Sequence, residues 1–381
     1  MQHKPRLRLA AAITGAAALV LTTGAFTSTH ADAGPYPVVA GGLNNPRHLN
    51  FGPNGSLYIA EAGTGGSGPC MAGGEGGQVC FGWTGSVTKV TRSGSQSRVL
   101  TGLASLAAAD DPTTPEDETG TSALGPAQVT ITGSNSFVVA MGFGSNPANR
   151  SLFPANAGFG ELLAGHFTPA GWHPIADISG HEAATNPIDD PDSDPASVLK
   201  VGSRYVVADA GGNTVVLASK HGWVKTLAAF PDTLADAPPF LGLPPGTQIP
   251  MQAVPTSVVR GPDHAYYISQ LTGFPFPVGA ANIYRMVPGQ QPTVYASGLT
   301  NVTDLAFGSD GSLYAVEIAS QGLLNGPIGA LVKIPAGGGT AATVADGLFA
   351  PYGVALRGGS AYVTTGSVLP GGGQVIRIPL S

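Results

Sequence analysis

Apolar and polar positions alternate along short stretches of this chain, with turn residues between the stretches. In residues 298–317, Leu305 and Phe307 alternate with small or polar neighbours, a Ser-Asp-Gly turn follows, and Leu313 and Tyr314 resume an extended apolar run. Alternation with a period of two on both sides of a turn is typical of a β-hairpin. The stretch therefore predicts two antiparallel strands.

The same hairpin pattern returns along nearly the whole chain. A second hairpin follows each of the first five copies, and the copies start near residues 46, 126, 195, 255, 302 and 351. Two hairpins supply four strands per repeat, which is the unit of a propeller blade. We therefore predict an all-β fold, a six-bladed β-propeller.

The last copy ends after three predicted strands, with residues 374–378 as the third. A fourth strand is available at the other end of the chain, where residues 36–43 resemble the fourth-strand endings at 293–299 and 342–348. We expect this N-terminal strand to complete the last blade and close the ring, which removes open sheet edges. The propeller is expected to span residues 34–381.

Residues 1–33 have the pattern of a secretory signal peptide. A basic segment around Lys4 and Arg6 precedes an apolar core that is short for a bilayer span, and a small-x-small sequence occupies residues 31–33. This predicts cleavage before Gly34 and a secreted, extracellular protein. A retained membrane anchor is the alternative; no later stretch is long enough to span a membrane.

The composition favours turns over helices and argues against nucleic acid as a partner. The chain contains 56 Gly and 33 Pro, and no amphipathic helical period stands out. Only 10% of residues are charged, with a net charge of −6. Nucleic-acid phosphates call for clusters of Lys and Arg, which this sequence lacks.

Two cysteines, Cys70 and Cys80, fall in the loop between the two hairpins of the first blade. In a secreted chain they are expected to form a disulfide. Closing a loop of about ten residues stabilises a fold by on the order of 2 to 3 kcal/mol. Free thiols are the alternative.

Connection lengths predict which face of the propeller carries a site. Turns inside hairpins are short and share one face, whereas the long connections share the other, and function concentrates on variable loops. The first strand of each blade is expected to line the central channel, starting from this long-loop face. The residues expected around its mouth, as a ligand funnel, are Arg47, His48, Gln128, Ser197, Ser257, Gln270 and Asp304.

Three carboxylates end second strands at the same mouth: Glu61, Asp209 and Glu317. Converging carboxylates repel one another, which either raises some of their pKa values or is relieved by a cation. Oxygen ligands without thiolates suit a hard ion such as Ca²⁺ or Mg²⁺. The alternative is that water, Arg47 and backbone amides satisfy them.

Two weaker candidates accompany this site. Asp190, Asp192 and Asp194 have the alternating spacing of some Ca²⁺ loops but lack the glycine and distal glutamate of an EF-hand, so a solvated turn is the alternative. His48 is the candidate catalytic residue, as a general base. Its alternative is packing against the next blade.

Apolar residues in two long connections form a further anomaly. Residues 240–243 and 274–278 are rich in Phe, Leu and Pro on the long-loop face. They form either an apolar rim for a ligand or partner, or packing contacts between adjacent loops.

Residues 207–213, 270–279 and 304–308, together with the repeated hairpins and the secretion signal, resemble the ScyD/ScyE family over essentially the whole mature chain. That family is named after proteins encoded with the biosynthesis of scytonemin, a sunscreen pigment. The resemblance implies a propeller fold and secretion. It supplies no catalytic residues.

More distantly, the blades resemble NHL-repeat propellers and the gluconolactonase and strictosidine synthase superfamily. Gluconolactonases hold a divalent metal at the axis with carboxylates and an asparagine from different blades, which implies that role for Glu61, Asp209 and Glu317. The Pro-Asn-Gly strand start of those enzymes is replaced here, for example by Pro46-Arg-His and Pro126-Ala-Gln.

Two main functions follow from these patterns, and a purely structural envelope protein is the remaining alternative. The first is an extracellular binding propeller that presents long loops and an acidic funnel to a small molecule, glycan or protein. The second is a metal-dependent hydrolase, lactonase or lyase, in which a cation at the carboxylates acts as Lewis acid and His48 or a carboxylate moves the proton. The sequence contains no GxSxG, HExxH or Walker motif, which favours the first.

Overall fold

A computed structural model of the protein describes residues 34–74, 77–109 and 118–380. The signal peptide predicted in residues 1–33 lies outside the described residues. Within the described ranges the chain consists mainly of antiparallel sheets, with one α-helix and three short 3-10 helices. The prediction of an all-β fold is confirmed.

Six sheets in the described part of the chain have four or more strands, and they follow one another along the sequence. The chain begins with β1 (Val38–Leu43). The first sheet contains β2 (Pro46–Phe51), β3 (Leu57–Glu61), β5 (Gln78–Val90) and β6 (Gln96–Ala108), with β4 (Cys70–Ala72) also paired to β5. The second sheet contains β7 (Pro126–Ile131), β8 (Ser136–Met141), β9 (Glu161–Phe167) and β10 (Ala170–Asp177). The third sheet contains β11 (Pro195–Val201), β12 (Arg204–Asp209), β13 (Thr214–Ser219) and β14 (Val224–Ala229).

The remaining three large sheets repeat this arrangement. The fourth contains β17 (Pro255–Arg260), β18 (Tyr266–Gln270), β19 (Ala281–Met286) and β20 (Thr293–Leu299). The fifth contains β21 (Val302–Phe307), β22 (Leu313–Glu317), β23 (Ile328–Ile334) and β24 (Ala342–Phe349). The sixth contains β25 (Val354–Arg357), β26 (Ser360–Thr365), β27 (Gly373–Pro379) and β1.

Smaller elements occupy the connections. A separate hairpin pairs β15 (Thr233–Asp236) with β16 (Gln248–Met251), and α1 (Ile178–Thr185) follows β10. The 3-10 helices span Pro147–Leu152, Pro239–Leu241 and Leu323–Asn325. None of the described helices is long and apolar enough to cross a membrane.

The hairpin of β21 and β22 shows how the sequence pattern becomes structure. Phe307 pairs with Leu313 across the turn, and Gly311 in that turn has a φ of 80°, a conformation that glycine adopts without steric cost. Leu305 and Ala315 pair on the buried face and are 2% and 0% exposed. Period-two alternation therefore directs one face of the hairpin into the core.

Apolar side chains fill the space between neighbouring sheets. Val87 and Leu100 of the first sheet lie in one buried cluster with Phe137 and Leu163 of the second. Comparable clusters join the third sheet to the fourth and the fourth to the fifth. The sheets are thus held face to face by hydrophobic burial, as in a β-propeller.

The first strands of the six large sheets lie next to one another. β2 contacts β7, β7 contacts β11, β11 contacts β17, β17 contacts β21, β21 contacts β25, and β25 contacts β2. β1 pairs with β27 in antiparallel register, with Val38 opposite Ile376 and Ala40 opposite Val375. The N-terminal strand is therefore the outer strand of the sixth sheet.

Helix α1 and the β15–β16 hairpin were not predicted from the sequence. α1 has only eight residues; the Asp177 side chain accepts the Gly180 N–H at its start, and Asn186 ends it in the left-handed region with a φ of 33°. The β15–β16 hairpin lies in a segment that was expected to be only a long connection. Both are too short to produce a recognisable period.

Cys70 and Cys80 face each other on β4 and β5 and form a disulfide. The predicted pairing is confirmed. The disulfide links two strands of the extended hairpin that projects from the first sheet.

Candidate functional site

The three carboxylates expected at the channel mouth share one local role. Each lies at the end of the second strand of its sheet, opposite the start of the first strand. Each accepts a backbone N–H from the segment that leads into that first strand. The bonds are Asn44 N–H to Glu61 Oε2 at 2.8 Å, Asp194 N–H to Asp209 Oδ1 at 2.6 Å, and Thr300 N–H to Glu317 Oε1 at 2.8 Å.

Glu61 is fully engaged by its own sheet. Its carboxylate forms an ion pair with Arg98, from β6, with Nη2 to Oε2 at 2.8 Å and Nε to Oε1 at 3.1 Å. Thr88 and Ser86 donate their hydroxyl groups to Oε1 at 2.6 and 3.0 Å. The hydrogen bond to Glu61 raises the pKa of Arg98. These contacts account for the buried charge of Glu61 within the protein.

The described residues contain no group of three or more His, Cys, Asp or Glu side chains placed to hold a metal ion. The Ca²⁺ or Mg²⁺ expected on Glu61, Asp209 and Glu317 stays a prediction. Asp209 also accepts the Ser193 hydroxyl at 2.9 Å, and burial raises the pKa of Asp209 to about 6.

His48, Ser257 and Asp304 are brought together where the first strands meet. Asp304 Oδ1 accepts the Ser257 hydroxyl at 2.7 Å, and Oδ2 accepts the Val354 N–H at 2.8 Å and lies 3.1 Å from His48 Nδ1. His48 is 0% exposed, and its ring lies edge-on to Tyr352 at 5.1 Å. The candidate catalytic histidine is therefore a packed side chain inside the ring of first strands.

Gln128 and Ser197 form a second pair in the same ring. Gln128 Oε1 accepts the Ser197 hydroxyl at 2.9 Å, and Ser197 Oγ in turn accepts the Val258 N–H at 3.1 Å. Gln270 has a different partner: its Oε1 accepts the Asn282 N–H at 3.0 Å. Most of the predicted funnel residues thus hydrogen-bond neighbouring strands to one another.

Arg47 instead lines a small cavity. The cavity has an accessible volume of about 20 Å³ and is bordered by two further polar side chains, Asp194 and Tyr352, and by apolar walls that include Ala196 and Ile318. A volume of this size holds one or two water molecules. The Arg47 guanidinium lies 4.9 Å from the centre of the Tyr352 ring.

Arg47 is buried but has no carboxylate within ion-pair distance among the described residues. Nη1 donates to the Ser367 carbonyl at 3.1 Å and Nη2 to the Ala123 carbonyl at 2.6 Å. Burial lowers the pKa of Arg47, against the opposing effects of Tyr352 and Asp194. The cavity therefore contains a desolvated cation held by neutral acceptors.

The two other polar groups of the cavity are also perturbed. Burial raises the pKa of Asp194 to about 7. The Phe143 N–H, which donates to Asp194 Oδ1 at 2.9 Å, has the opposite effect and lowers this pKa. Burial raises the pKa of Tyr352 to about 12, and the positive charge of Arg47 opposes only part of this increase. Perturbed groups around one cavity are characteristic of binding and catalytic sites.

The acidic run beside this cavity is divided among separate contacts. Asp190 accepts the Gln252 side-chain N–H at 2.6 Å, whereas Asp192 is buried against Gly211. Glu182, from α1, is buried beside Gly212, and burial raises its pKa to about 8, with further increases from neighbouring aspartates. The Ca²⁺ site predicted on Asp190, Asp192 and Asp194 stays a prediction.

Sequence reasoning missed Tyr352, Arg98 and Glu182. The signal for Tyr352 was present, because Pro351-Tyr-Gly aligns with Pro46-Arg-His and places Tyr352 at the same repeat position as Arg47. That position supplies four cavity-lining residues: Arg47, Ala127, Ala196 and Tyr352. The next position supplies the hydrogen-bonded residues of the axis.

No protein-family model matches the chain, and no curated protein matches it. Similar solved structures include a catalytically inactive virginiamycin B lyase from Staphylococcus aureus with quinupristin, at 11% identity and a TM-score of 0.43, covering 90% of this chain and 85% of that chain. A putative oxidoreductase (glucose dehydrogenase) from Thermus thermophilus has 16% identity and a TM-score of 0.49, covering 90% and 98%. A putative gluconolactonase has 11% identity and a TM-score of 0.41, covering 67% and 78%. At these identities and TM-scores, the activities of these proteins are not assigned to this chain. The ScyD/ScyE resemblance stays a prediction.

Proposed function

We propose that the six large sheets are the blades of one β-propeller, closed by β1, and that its long-loop face binds a small organic ligand at the cavity of Arg47, Asp194 and Tyr352. The cyclic contacts of the first strands and the pairing of β1 with β27 support the architecture. The observation that carries the function is the buried guanidinium of Arg47, which lines the cavity without an ion-pair partner among the described residues.

A buried, unpaired cation is costly unless a structural or functional contact offsets the loss of water. The carbonyl groups of Ser367 and Ala123 supply part of that contact. A ligand oxygen in the cavity would supply the remainder, since Arg47 has five N–H donors. Tyr352, which also lines the cavity, would add a phenolic O–H donor.

Small oxygen-containing probes test this proposal. Saturation-transfer NMR on the mature chain would compare acetate, formamide and glycolate, with Tyr352→Phe as the variant and Tyr362→Phe as the matched control. We expect acetate to bind, and Tyr352→Phe to weaken binding about threefold to tenfold because one hydrogen bond is lost. Identical acetate binding by wild type and Tyr352→Phe would contradict the site.

A second function, hydrolase, lactonase or lyase chemistry, is favoured by Asp194. A carboxyl whose pKa is raised to about 7 suits a general acid or base near neutral pH. A screen of lactones and esters with wild type and Asp194→Asn tests it, and elemental mass spectrometry of the mature protein tests the predicted cation. Turnover that persists in Asp194→Asn would exclude Asp194 as the base.

Secretion is part of the proposal. It rests on the signal pattern in residues 1–33 and is compatible with the Cys70–Cys80 disulfide. N-terminal sequencing of protein from the culture medium tests cleavage before Gly34.

A further inference from the structure

Exposed apolar side chains lie on three long connections of the fourth and fifth sheets. Phe240, Val278 and Leu324 are 68%, 60% and 37% exposed. Phe240 belongs to the connection between the third and fourth sheets, Val278 to the connection between β18 and β19, and Leu324 to the connection between β22 and β23. We call these three residues, together with Phe274, the apolar rim.

The apolar rim is continuous with the wall of the cavity. The rings of Phe240 and Phe274 lie 6.2 Å apart, and Phe274 lies 6.2 Å from Phe276. Phe276 is buried in one cluster with Ile318 and Tyr352, which both line the cavity. Packed apolar side chains, among them Phe276 at 7% exposure, therefore form a path that links the cavity wall to the apolar rim.

Val278 and Leu324 lie along the same path. A Cβ atom at Gly322 would be 2.7 Å from the Phe276 carbonyl oxygen and 3.7 Å from Val278 Cγ2, so the two connections are in close contact. Leu323, next to Leu324, is buried in the cluster that contains Phe276. The rim is thus one surface, built from adjacent loops.

Cavity and rim together define a ligand with two unlike ends. With an accessible volume of about 20 Å³, the cavity admits only a small polar group, so the larger part of a ligand must lie outside it. The only cation among the lining residues is Arg47, which has no ion-pair partner in the described parts of the chain. Asp194, the one carboxyl among the lining residues, accepts the Phe143 N–H and lies beyond ion-pair distance of Arg47, so the unpaired guanidinium of Arg47 favours an anionic head group.

We propose that the ligand is an amphipathic small molecule, with an anionic head beside Arg47 and Tyr352 and an apolar ring or chain over Phe240, Phe274 and Val278. This inference rests on the proposed function and adds the chemical class of the ligand. Exposed apolar surface beside a small polar cavity is what such a molecule would cover, because burying its body contributes affinity that the small head alone cannot supply.

A pair of fluorescent dyes tests the inference on the mature chain. Anilinonaphthalene sulfonate is an apolar anion, and phenylnaphthylamine is its uncharged parent; both fluoresce more strongly in apolar surroundings. We expect the sulfonate to bind about tenfold more tightly than the neutral dye, a difference of about 1.4 kcal/mol. Equal binding of both dyes would overturn the anionic head.

Exposed side chains provide variants that leave the core intact. Val278→Ser and Phe240→Ser are expected to weaken sulfonate binding about fivefold to tenfold, since each removes apolar contact area. The matched control is Val294→Ser: Val294 is 57% exposed, against 60% for Val278, and lies on the outer strand β20. An unchanged titration of Val278→Ser would overturn the inference.

Two other occupants of the apolar rim would each give a different experimental result. Concentration-dependent dimerisation that Phe240→Ser abolishes would assign the rim to a second copy of the chain and overturn the proposal. Co-sedimentation with phosphatidylcholine vesicles that the same variant abolishes would assign it to a lipid surface, with the same consequence. Each of these results leaves acetate binding, and its weakening in Tyr352→Phe, in place, so failure of the rim is distinguishable from failure of the cavity.

Discussion

Nδ1 of His48 lies 3.1 Å from Oδ2 of Asp304, although the two residues belong to the first and fifth sheets. The same carboxylate accepts hydrogen bonds from Ser257 in the fourth sheet and Val354 in the sixth. One side chain thus connects the first strands of four sheets. Both His48 and Asp304 are buried, so these contacts hold the first strands together.

Replacing Asp304 should therefore destabilise the fold. Asp304→Asn keeps the shape of the side chain but weakens the contacts with Ser257, Val354 and His48. We expect a loss of about 2 to 4 kcal/mol in the free energy of unfolding, since hydrogen bonds to a buried carboxylate are strong. Urea denaturation measures it, with the exposed Asp236→Asn as control. A change below about 0.5 kcal/mol would show that the carboxylate is not a support of the axis.

The variant Glu61→Gln tests whether the Glu61 carboxylate has a structural role or is a metal ligand. Glu61→Gln removes the ion pair with Arg98, and we expect a loss of about 1 to 3 kcal/mol that is independent of added cations. Arg98→Gln should lose at least as much, because it leaves the Glu61 carboxylate, whose side chain is 0% exposed, without its cation.

Thermal melts of both variants with and without chelator, together with elemental mass spectrometry, distinguish these two roles of Glu61. A wild-type protein that contains a stoichiometric cation, lost in Glu61→Gln, would place Glu61 in a metal site. Equal melts with and without chelator would leave the contacts with Arg98, Ser86 and Thr88 as the source of its contribution.

Local patterns allowed most of the strands to be predicted from the sequence. Alternation around Ser309-Asp-Gly311 specifies a hairpin because register and turn chemistry depend on neighbouring residues only. The same reasoning placed residues 36–43 beside the last strand, where β1 pairs with β27. Helix α1 was not predicted, because eight residues are too few to show a helical period.

The side-chain contacts of the site were harder to predict. Glu61 and Arg98 are 37 residues apart in sequence. They meet only because the second and fourth strands of one sheet bring them to the same end of that sheet. Arg47 meets Tyr352 only because the first and last repeats are neighbours in space. Strand patterns give the repeat position of a residue, but its partner depends on sheet geometry and on the rotamer it adopts.

The burial of Glu182 predicts a pH dependence of stability. Its pKa is raised from 4.5 to about 8 in the folded protein, with burial as the main cause. The folded state then binds a proton at Glu182 more tightly than the unfolded state, so the contribution of Glu182 to stability is fully present below pH 4.5 and is lost as pH rises towards 8. The slope for one such proton is on the order of 1 kcal/mol per pH unit.

Glu182→Gln should remove this contribution. We expect a smaller decline in the free energy of unfolding between about pH 5 and pH 8 for the variant than for wild type, measured by urea denaturation at each pH. Asp236→Asn, exposed on β15, is the control and should follow wild type. Parallel curves for wild type and Glu182→Gln would show that Glu182 does not carry a raised pKa.

The approach of the sixth sheet to the first can be probed by a single methyl group at Gly353. A Cβ atom at this position would lie 2.7 Å from the Arg47 carbonyl oxygen and 2.8 Å from the His48 Cα, both backbone atoms of β2. Backbone contacts this short cannot be relieved by a rotamer change, so Gly353→Ala must push the start of β25 away from β2. We expect a loss of about 1 to 3 kcal/mol, as for overpacked cores.

The matched control is Gly171→Ala on β10, where a Cβ atom meets nothing within 4 Å and the expected change is below about 1 kcal/mol. Because Arg47 lies at the contact, Gly353→Ala should also weaken acetate binding, whereas Gly171→Ala should not. Equal melting temperatures for the two variants would mean that β25 and β2 do not approach this closely.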